Sequence, residues 1–284
     1  MKLAFSTLGC PDWSLEKIAE FAGANGFEGV ELRTHDDGNH FSPAATAEEA
    51  GRLGAFFRSK GTRVFSLMAY TRFGATDPGE LAANRDKLLH VLDLAKAIGA
   101  GFVRTFVGKI AEGVSREKAL AQAAEYLAPC TAKARETGVS LGIETHDDWC
   151  DAANIKALQK LVGGGLGTVW DFANAVEATG KSAAEQFKDL KGTILYCHVK
   201  DSVQGADGKS HYVPVGTGRM PVKEVVDILR SNKLDLFLSF EHEKKWHPEL
   251  PDPAEAFPGY AAFMRGLIGP GRPAKGGKKG GKKQ

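Results

Sequence analysis

The sequence predicts a single closed (β/α)8 barrel, the α/β architecture also called the TIM barrel. Eight short apolar runs with the composition of strands alternate from end to end with eight amphipathic helical stretches. Strict strand–helix alternation indicates a parallel sheet, and eight units are the number that closes such a sheet into a barrel. Four of the later runs also end in residues that bind metals, as expected where parallel strands deliver side chains to one rim.

The predicted strands are short runs rich in aliphatic and aromatic residues, which favour an extended backbone. They cover residues 2–6, 29–32, 63–68, 102–106, 139–144, 168–171, 194–199 and 236–241. The predicted helices lie between the strands and show the helical apolar period. They cover residues 14–25, 46–60, 78–98, 115–137, 151–162, 182–190, 221–231 and 253–268.

The ends of the helices carry the expected start and stop signals. Ser14, Thr46 and Ser115 precede amphipathic runs as N-caps. Glu48 and Glu49 place negative charge in the first turn of the second helix, where it favours the helix dipole. Glycines follow four of the helical stretches, as C-terminal glycines do: Gly61, Gly99, Gly138 and Gly163.

A chain of 284 residues suits one barrel domain, which we place at residues 1–269. Residues 270–284 are rich in Gly, Lys and Pro without apolar periodicity, and we expect this tail to be disordered. The net charge is +2, but the tail contributes six positive and no negative charges, so the body carries −4. The body therefore predicts no specific nucleic-acid partner, although weak, salt-sensitive binding of RNA, DNA or an anionic surface by the tail remains open.

The four cysteines and the hydropathy pattern favour a cytoplasmic protein. Cys10, Cys130, Cys150 and Cys197 lie far apart without a CxxC spacing, which is typical of reduced thiols. The few apolar residues before Cys10 are too short for the core of a secretion signal. No apolar run approaches the length of a membrane-spanning helix, so we expect no membrane association.

Metal-binding residues end the runs LGIE, TVWD, ILYCH and FLSFE, namely Glu144, Asp171, His198 and Glu241. They are separated by 27, 27 and 43 residues, about the length of a strand with its return helix. Four ionisable endings on apolar runs are costly to bury without a cation to balance them. Three carboxylates and one imidazole favour one divalent ion, Mn²⁺ or Mg²⁺, over Zn²⁺, with Co²⁺ as a substitute.

Other polar residues occupy or flank the same strand ends, and we interpret them as candidates for binding a substrate. They are Glu31, Arg104, His146, Asn174, Lys200, His211 and Arg219. Lys200 and His146 each lie two residues beyond a predicted ligand, on the same face of the strand. Ordinary structural roles stay open: a strand-end carboxylate is often a helix cap, a rim arginine is often part of a salt bridge, and Glu31 could orient a partner.

Six motifs follow one another along the chain: GVELR (29–33), IETHD (143–147), WDFAN (170–174), CHVKD (197–201), VPVGTG (213–218) and SFEHE (239–243). With these motifs the chain resembles the xylose isomerase-like barrels, a group that includes sugar-phosphate isomerases and epimerases, ketose 3-epimerases and inosose dehydratases. Each motif alone is weak, and six in register make a match at the level of the superfamily. The resemblance covers residues 1 to about 268 and does not select one member.

The resemblance implies that Glu144, Asp171, His198 and Glu241 are the metal ligands, and that Glu144 and Glu241 are also the acid/base pair on opposite sides of a bound sugar. One carboxylate would take a proton from the carbon next to a carbonyl, and the metal would stabilise the enediolate. We therefore expect a metal-dependent isomerase or epimerase that acts on a sugar or sugar derivative. Members of this family often form dimers or tetramers, so the resemblance leaves a homo-oligomer open, but the sequence carries no interface signature.

Three alternatives share this barrel. A lyase or dehydratase acting on a keto-sugar or keto-inositol would begin with the same proton abstraction. An endonuclease IV-like DNA-repair nuclease needs a trinuclear zinc site, but Asn174 stands where such a nuclease has a histidine, and His211 alone follows CHVKD where a denser cluster is needed. A sugar-binding barrel without chemistry is disfavoured because all four ligand positions are intact.

Overall fold

In the computed structural model, which describes residues 1–269, eight parallel strands close into the predicted barrel. The predicted tail, residues 270–284, lies outside the described residues. Each predicted strand is present, with its ends displaced by two residues or fewer. The barrel strands are β1 (Lys2–Ser6), β2 (Gly29–Thr34), β3 (Val64–Ala69), β4 (Phe102–Thr105), β5 (Ser140–Glu144), β6 (Leu166–Asp171), β7 (Ile194–Val199) and β10 (Phe237–Phe240).

The strands follow sequence order around the barrel, and β10 pairs with β1 to close it. Between β7 and β10 the chain forms an antiparallel hairpin, β8 (Asp201–Gln204) and β9 (Ser210–Val213). Sequence patterning missed this hairpin because its two short strands, DSVQ and SHYV, consist mainly of polar residues, and the only buried ones are the polar Asp201 and Ser202. Without an apolar face, such strands carry no alternation signal.

The helices surround the barrel. They are α1 (Leu15–Ala24), α2 (Ala47–Ser59), α3 (Pro78–Ile98), α4 (Arg116–Thr137), α5 (Ala152–Val162), α6 (Phe172–Thr179), α7 (Ala183–Leu190), α8 (Val222–Ser231) and α9 (Pro253–Ile268). The predicted N-caps are confirmed: the hydroxyl oxygens of Ser14, Thr46 and Ser115 each accept a hydrogen bond from a backbone N–H in the first turn. Gly99 and Gly138 end their helices in the left-handed conformation, as expected.

Helix α6 was not predicted, and its start explains why. Asp171 ends β6 and is at the same time the N-cap of α6, since its Oδ1 accepts a hydrogen bond from the N–H of Asn174 at 2.9 Å. The strand therefore passes into the helix without a loop. No turn of Gly, Pro or polar residues separates β6 from α6, so the sequence lacks the signal that usually marks the boundary between a strand and a helix.

Aromatic side chains fill the amino-terminal half of the barrel interior. Phe65 stacks on Phe237 with ring centroids 4.2 Å apart and meets the ring of Tyr196 edge-on at 5.1 Å. Ala4 and Val169 complete this cluster, which we call the aromatic floor. A side chain at Gly29 in β2 would collide with the rings of both Phe65 and Phe237, so a glycine at this position is needed for the two rings to pack here. The floor leaves the carboxyl-terminal half of the interior for polar groups.

Two further expectations concern the described residues. Cys10, Cys130, Cys150 and Cys197 all belong to residues 1–269, and all are buried free thiols. Within the same range, no helix combines the length and the apolar character needed to cross a membrane.

Candidate metal centre

The four residues with metal-binding side chains meet at the carboxyl-terminal rim of the barrel. Glu144, Asp171 and His198 come from β5, β6 and β7, and Glu241 follows β10 directly. One ligand atom from each residue lies within 4.8 Å of the others. All four side chains are buried, with exposed fractions of 5% or less. The parallel barrel thus brings together residues that are up to 97 positions apart in the chain.

Strand register sets the geometry of this cluster. Asp171 and His198 are direct partners in the pairing of β6 with β7, so their side chains lie side by side. A register irregularity between Thr168 and Val169 precedes them in β6. Such irregularities re-aim the side chains that follow, and they are common beside active sites. The helix-cap bond uses Asp171 Oδ1 and leaves Oδ2 for the cluster.

The imidazole of His198 is held from both sides. Its Nδ1 lies 2.9 Å from Glu144 Oε1 and 3.2 Å from Glu241 Oε1. Its Nε2 lies 2.9 Å from Glu31 Oε2. Nδ1 therefore faces the proposed ligands, and Nε2 faces a carboxylate beneath them. A histidine that binds a metal through one nitrogen commonly donates its other N–H to a carboxylate in this way.

Glu31 is fully buried beneath His198, in contact with protein groups on several sides. Besides the imidazole, its carboxylate accepts hydrogen bonds from the hydroxyls of Tyr196 and Ser239, the latter at 2.9 Å. The phenol of Tyr196 also contacts Ser66 Oγ at 2.9 Å. These contacts favour the second of the two roles considered for Glu31, orientation of a partner. A substrate hydroxyl would have to displace one of them.

Two cations balance the carboxylates at the rim. Arg104 Nε lies 3.1 Å from Glu144 Oε2, with both side chains buried. Lys200 Nζ lies 2.8 Å from Asp171 Oδ2, 2.9 Å from Glu241 Oε2 and 3.3 Å from Glu243 Oε1. Buried ions of one sign are costly unless they are paired. The paired cations therefore allow several carboxylates to share one buried rim.

Burial and these charges shift the pKa values of the rim. Burial opposes ionisation of Glu144, but the charges of Arg104 and His198 outweigh it and hold the pKa of Glu144 below its usual range. The pKa of Glu241 is lowered further, because His198 and Lys200 both oppose the effect of burial. Burial raises the pKa of Asp171 to about 6 against the opposing effect of Lys200. The proposed acid/base pair is thus ionised at neutral pH.

The residues at this rim fit a divalent cation. Glu144 Oε2 and Asp171 Oδ2 are buried, and neither accepts a hydrogen bond from any residue within 1–269. Their contacts with Arg104 and Lys200 are ion pairs without hydrogen-bond geometry. Buried carboxylate oxygens normally accept hydrogen bonds, so these two oxygens of one rim have acceptor capacity that a divalent cation could use. The donor set of three carboxylates and one imidazole supplies the atoms that such an ion needs.

The structure brings some of the predicted substrate-binding residues to the cluster. Arg104 and Lys200 contact the proposed ligands directly. His146 lies at the rim, with its Nδ1 3.0 Å from Asp147 Oδ2 and its ring 4.8 Å from that of Phe106. Asn174 lies in the first turn of α6, with Nδ2 3.5 Å from the carbonyl oxygen of Thr145.

Two other predicted residues have contacts away from the cluster. His211 lies on β9 with about half of its side chain exposed, and its Nε2 is 2.9 Å from Asp207 Oδ1 in the same hairpin. Arg219 is similarly exposed and pairs with Glu177 at 2.9 Å. Neither contact reaches the four ligands, so substrate binding by these two residues stays a prediction. Tyr212, next to His211, points the other way, with its ring 5.9 Å from Lys200 Nζ.

Sequence reasoning missed three side chains at or beneath the rim. Tyr196 supports Glu31, Glu243 contacts Lys200, and Arg33 is fully buried against the ring of Tyr70 at 4.9 Å. Each lies two residues from a residue that was singled out, on the same face of the strand or its continuation. The period-two rule that identified Lys200 would also have found these three.

Comparison with known proteins agrees with the geometry. A model of the xylose isomerase-like TIM barrel family matches residues 19–265 of this chain. No functionally curated protein matches the sequence at a significant level. Several solved structures share the fold across almost their entire length.

One such structure is the IolI protein with a bound zinc atom, with a TM-score of 0.78 and 17% identity over 94% of this chain and 98% of that chain. Another is 3-keto-D-glucoside 4-epimerase YcjR from E. coli, with a TM-score of 0.76 and 13% identity over 94% and 99%. A third is the probable 3-DHS dehydratase AsbF from Bacillus anthracis, with a TM-score of 0.71 and 20% identity over 93% and 98%. At these identities the similarity shows a common barrel.

Proposed function

This chain belongs to the xylose isomerase-like TIM barrel family, and on that basis we propose that it is a divalent-metal-dependent isomerase or epimerase of a sugar or sugar derivative. The observation that carries the proposal is the placement of Glu144 and Glu241. Both carboxylates contact the same nitrogen of His198, yet they come from β5 and from the end of β10. Two ionised carboxylates that share one buried metal-binding cluster are suited to moving protons on a bound substrate.

The contacts of Glu144 and Glu241 suggest which of the two carboxylates takes a proton from the substrate and which returns one. Glu144 Oε2 lies 3.1 Å from Arg104 Nε but accepts no hydrogen bond from residues 1–269, whereas Glu241 Oε2 is hydrogen-bonded to Lys200. From this difference we infer that Glu144 is the base for a proton on the carbon next to a carbonyl. Glu241 Oε2 accepts a hydrogen bond from Lys200 Nζ at 2.9 Å. The surrounding carboxylates outweigh burial and raise the pKa of Lys200 well above its ordinary value, so Lys200 stays an ammonium that holds Glu241 in position. In an isomerisation Glu144 would return the proton that it took, and in an epimerisation Glu241 would return one taken up from solvent. A bound cation supplies Lewis-acid stabilisation of the negative charge that develops on the substrate oxygen.

We propose Mn²⁺ or Mg²⁺ as the native ion because three of the four donors are carboxylates. Co²⁺ is expected to substitute. The zinc atom in the IolI protein keeps Zn²⁺ among the ions to be tested. Reconstitution of the full chain with each ion, followed by measurement of metal content and activity, distinguishes these ions.

Metal binding is expected to release protons. The carboxylates of Glu241, Glu31 and Glu144 outweigh burial and raise the pKa of His198 well above its ordinary value, so the metal-free imidazole is protonated at neutral pH. Since the pKa of Asp171 is raised to about 6, a second proton must leave at lower pH. We expect release of about two protons per Mn²⁺ at pH 5 and about one at pH 8, with affinity rising as pH rises.

Titration calorimetry in buffers of different ionisation enthalpy measures this release. The Asp171→Asn variant provides the comparison, because it removes the group that accounts for the second proton. Binding of Mn²⁺ without proton release at any pH would contradict the proposed role of His198 as a ligand.

The reaction is tested by incubating the metal-loaded chain in deuterated water with a panel of keto-sugars and keto-inositols. An isomerase or epimerase gives a product of unchanged composition that carries deuterium next to the carbonyl. A product lighter by one water would instead identify the lyase alternative. We retain this alternative because one of the similar structures is a probable dehydratase. Absence of deuterium exchange with every member of the panel would count against proton abstraction altogether.

A further inference from the structure

A cavity of about 220 Å³ adjoins the metal centre on the side of β10. It lies between the end of β7, the segment that leaves β9, and helix α9. Lys200 and Glu241, which are buried, line one end of the cavity, and Glu255 and Gly259, which are exposed, line the other. The cavity therefore extends from the proposed acid/base group towards the outer surface of α9.

The walls between these ends are mainly apolar. The apolar residues are Val213, Pro214, Val215, Phe240, Leu250 and Ala256. Asp201, His242 and Glu243 also line the cavity, but each already contacts a protein group: Asp201 and His242 contact backbone groups, and Glu243 contacts Lys200. A sugar carries hydroxyl groups on most of its carbons, and burying a hydroxyl without a hydrogen-bond partner is unfavourable. A plain sugar is therefore a poor occupant of this space, whereas an apolar group attached to a sugar is a good one.

Gly259 keeps the cavity wide. It lies in the middle of α9, where glycine is less favourable than alanine because of its backbone entropy. A Cβ atom at this position would meet no atom of residues 1–269 within 4 Å, so packing does not require a glycine there. Gly259 also has an ordinary negative φ, so backbone conformation does not require it either. A side chain at Gly259 would therefore have room to occupy part of the cavity that this residue lines.

We propose that this cavity is a subsite for an apolar substituent of the substrate, such as an aromatic or short alkyl group joined to the reacting sugar. Lys200 and Glu241 belong both to the lining of the cavity and to the metal centre, so we expect one ligand to reach from the cavity to the centre. The role assigned to the sugar part of such a ligand rests on the proposed function. The binding of its apolar part does not depend on that function, so the two can be tested separately.

The apolar end is tested with benzyl alcohol as the probe and the full, metal-loaded chain. Ligand-detected NMR is expected to show binding to the wild type and loss of binding in Gly259→Leu, whose side chain enters the cavity. Gly266→Leu is the matched control, since Gly266 lies in the same helix, is exposed and also has free space around it, but does not line the cavity. Ala256→Phe narrows the same wall and serves if Gly259→Leu fails to fold.

The whole ligand is tested with the phenyl and methyl glycosides of whichever keto-sugar the chain accepts or binds. The wild type and Gly266→Leu are expected to favour the phenyl glycoside by about tenfold in affinity, and Gly259→Leu is expected to lose that preference. Equal affinity for the two glycosides, or failure of benzyl alcohol to bind, overturns the subsite. A chain that binds benzyl alcohol at Gly259 but processes no keto-sugar overturns the proposed function and leaves the subsite intact.

Stability gives an independent check on Gly259. Gly259→Ala and Gly266→Ala are both expected to raise the midpoint of thermal unfolding by about 2 °C, because alanine favours the helix and neither methyl group meets a neighbour. Gly259→Ala alone is expected to weaken binding of the phenyl glycoside. A loss of stability in Gly259→Ala would show that the glycine serves packing instead.

Discussion

Replacement of Glu144 by glutamine is expected to lower kcat on a keto-sugar by about 10²–10⁴-fold. The amide cannot accept a proton from carbon. It also removes one negative charge from the cluster and leaves the buried guanidinium of Arg104 without its carboxylate partner. Loss of a base and loss of the metal would both lower the rate, so the assay is made at saturating Mn²⁺ and the metal content of the variant is measured by mass spectrometry.

The informative result is a variant that retains its metal and its fold but has lost turnover and deuterium exchange together. Glu125→Gln is the matched control, because Glu125 is an exposed glutamate in the middle of α4, away from the rim. Turnover of the metal-loaded Glu144→Gln variant at the wild-type rate would refute the assignment of Glu144 as the base.

Glu31→Gln is expected to weaken Mn²⁺ binding by about 10–100-fold while changing kcat at saturating metal much less. The carboxylate of Glu31 holds Nε2 of His198 at 2.9 Å, which fixes the ring with Nδ1 towards the ligands and makes that nitrogen a better donor. An amide keeps the shape but loses the charge. Competition with a fluorescent chelator measures the affinity, and the activity of the same variant is measured as a function of Mn²⁺ concentration.

Tyr196→Phe separates this effect from general loosening of the barrel. It removes the hydroxyl that donates to Glu31 but leaves the carboxylate on His198. A positioning role for Glu31 predicts a much smaller loss of affinity in Tyr196→Phe than in Glu31→Gln. If both variants bind Mn²⁺ as the wild type does, Glu31 does not act through the metal centre.

The barrel and its four converging side chains were predictable because both follow from periodicity. Parallel strands that end at one rim bring Glu144, Asp171 and His198 together whatever the loops between them do. The hairpin of β8 and β9 was not predictable, since its residues are mainly polar and show no apolar alternation. Its place is set instead by Asp201, whose carboxylate accepts hydrogen bonds from the backbone N–H groups of Gly216, Gly218 and Met220.

The sequence predicted which residues lie near the site better than it predicted what each of them contacts there. Glu31 and Arg104 were predicted as substrate-binding residues from their positions in the strands, but their burial against His198 and Glu144 depends on which partner lies across the barrel. That information is tertiary, and no local pattern contains it. His211 and Tyr212 illustrate the same limit: adjacent residues in a short strand point to opposite sides, and the sequence alone does not tell which side faces Lys200.

Tyr196 gives the aromatic floor a second consequence. Its ring packs against Phe65, while its hydroxyl reaches Glu31 and, through Glu31, the imidazole above. The aromatic floor is therefore joined, through Tyr196 and Glu31, to the imidazole of His198, which we propose as a metal ligand. Substitutions among the rings of the floor are therefore expected to change the position of His198, and with it the affinity for a metal, without changing the residues of the rim themselves.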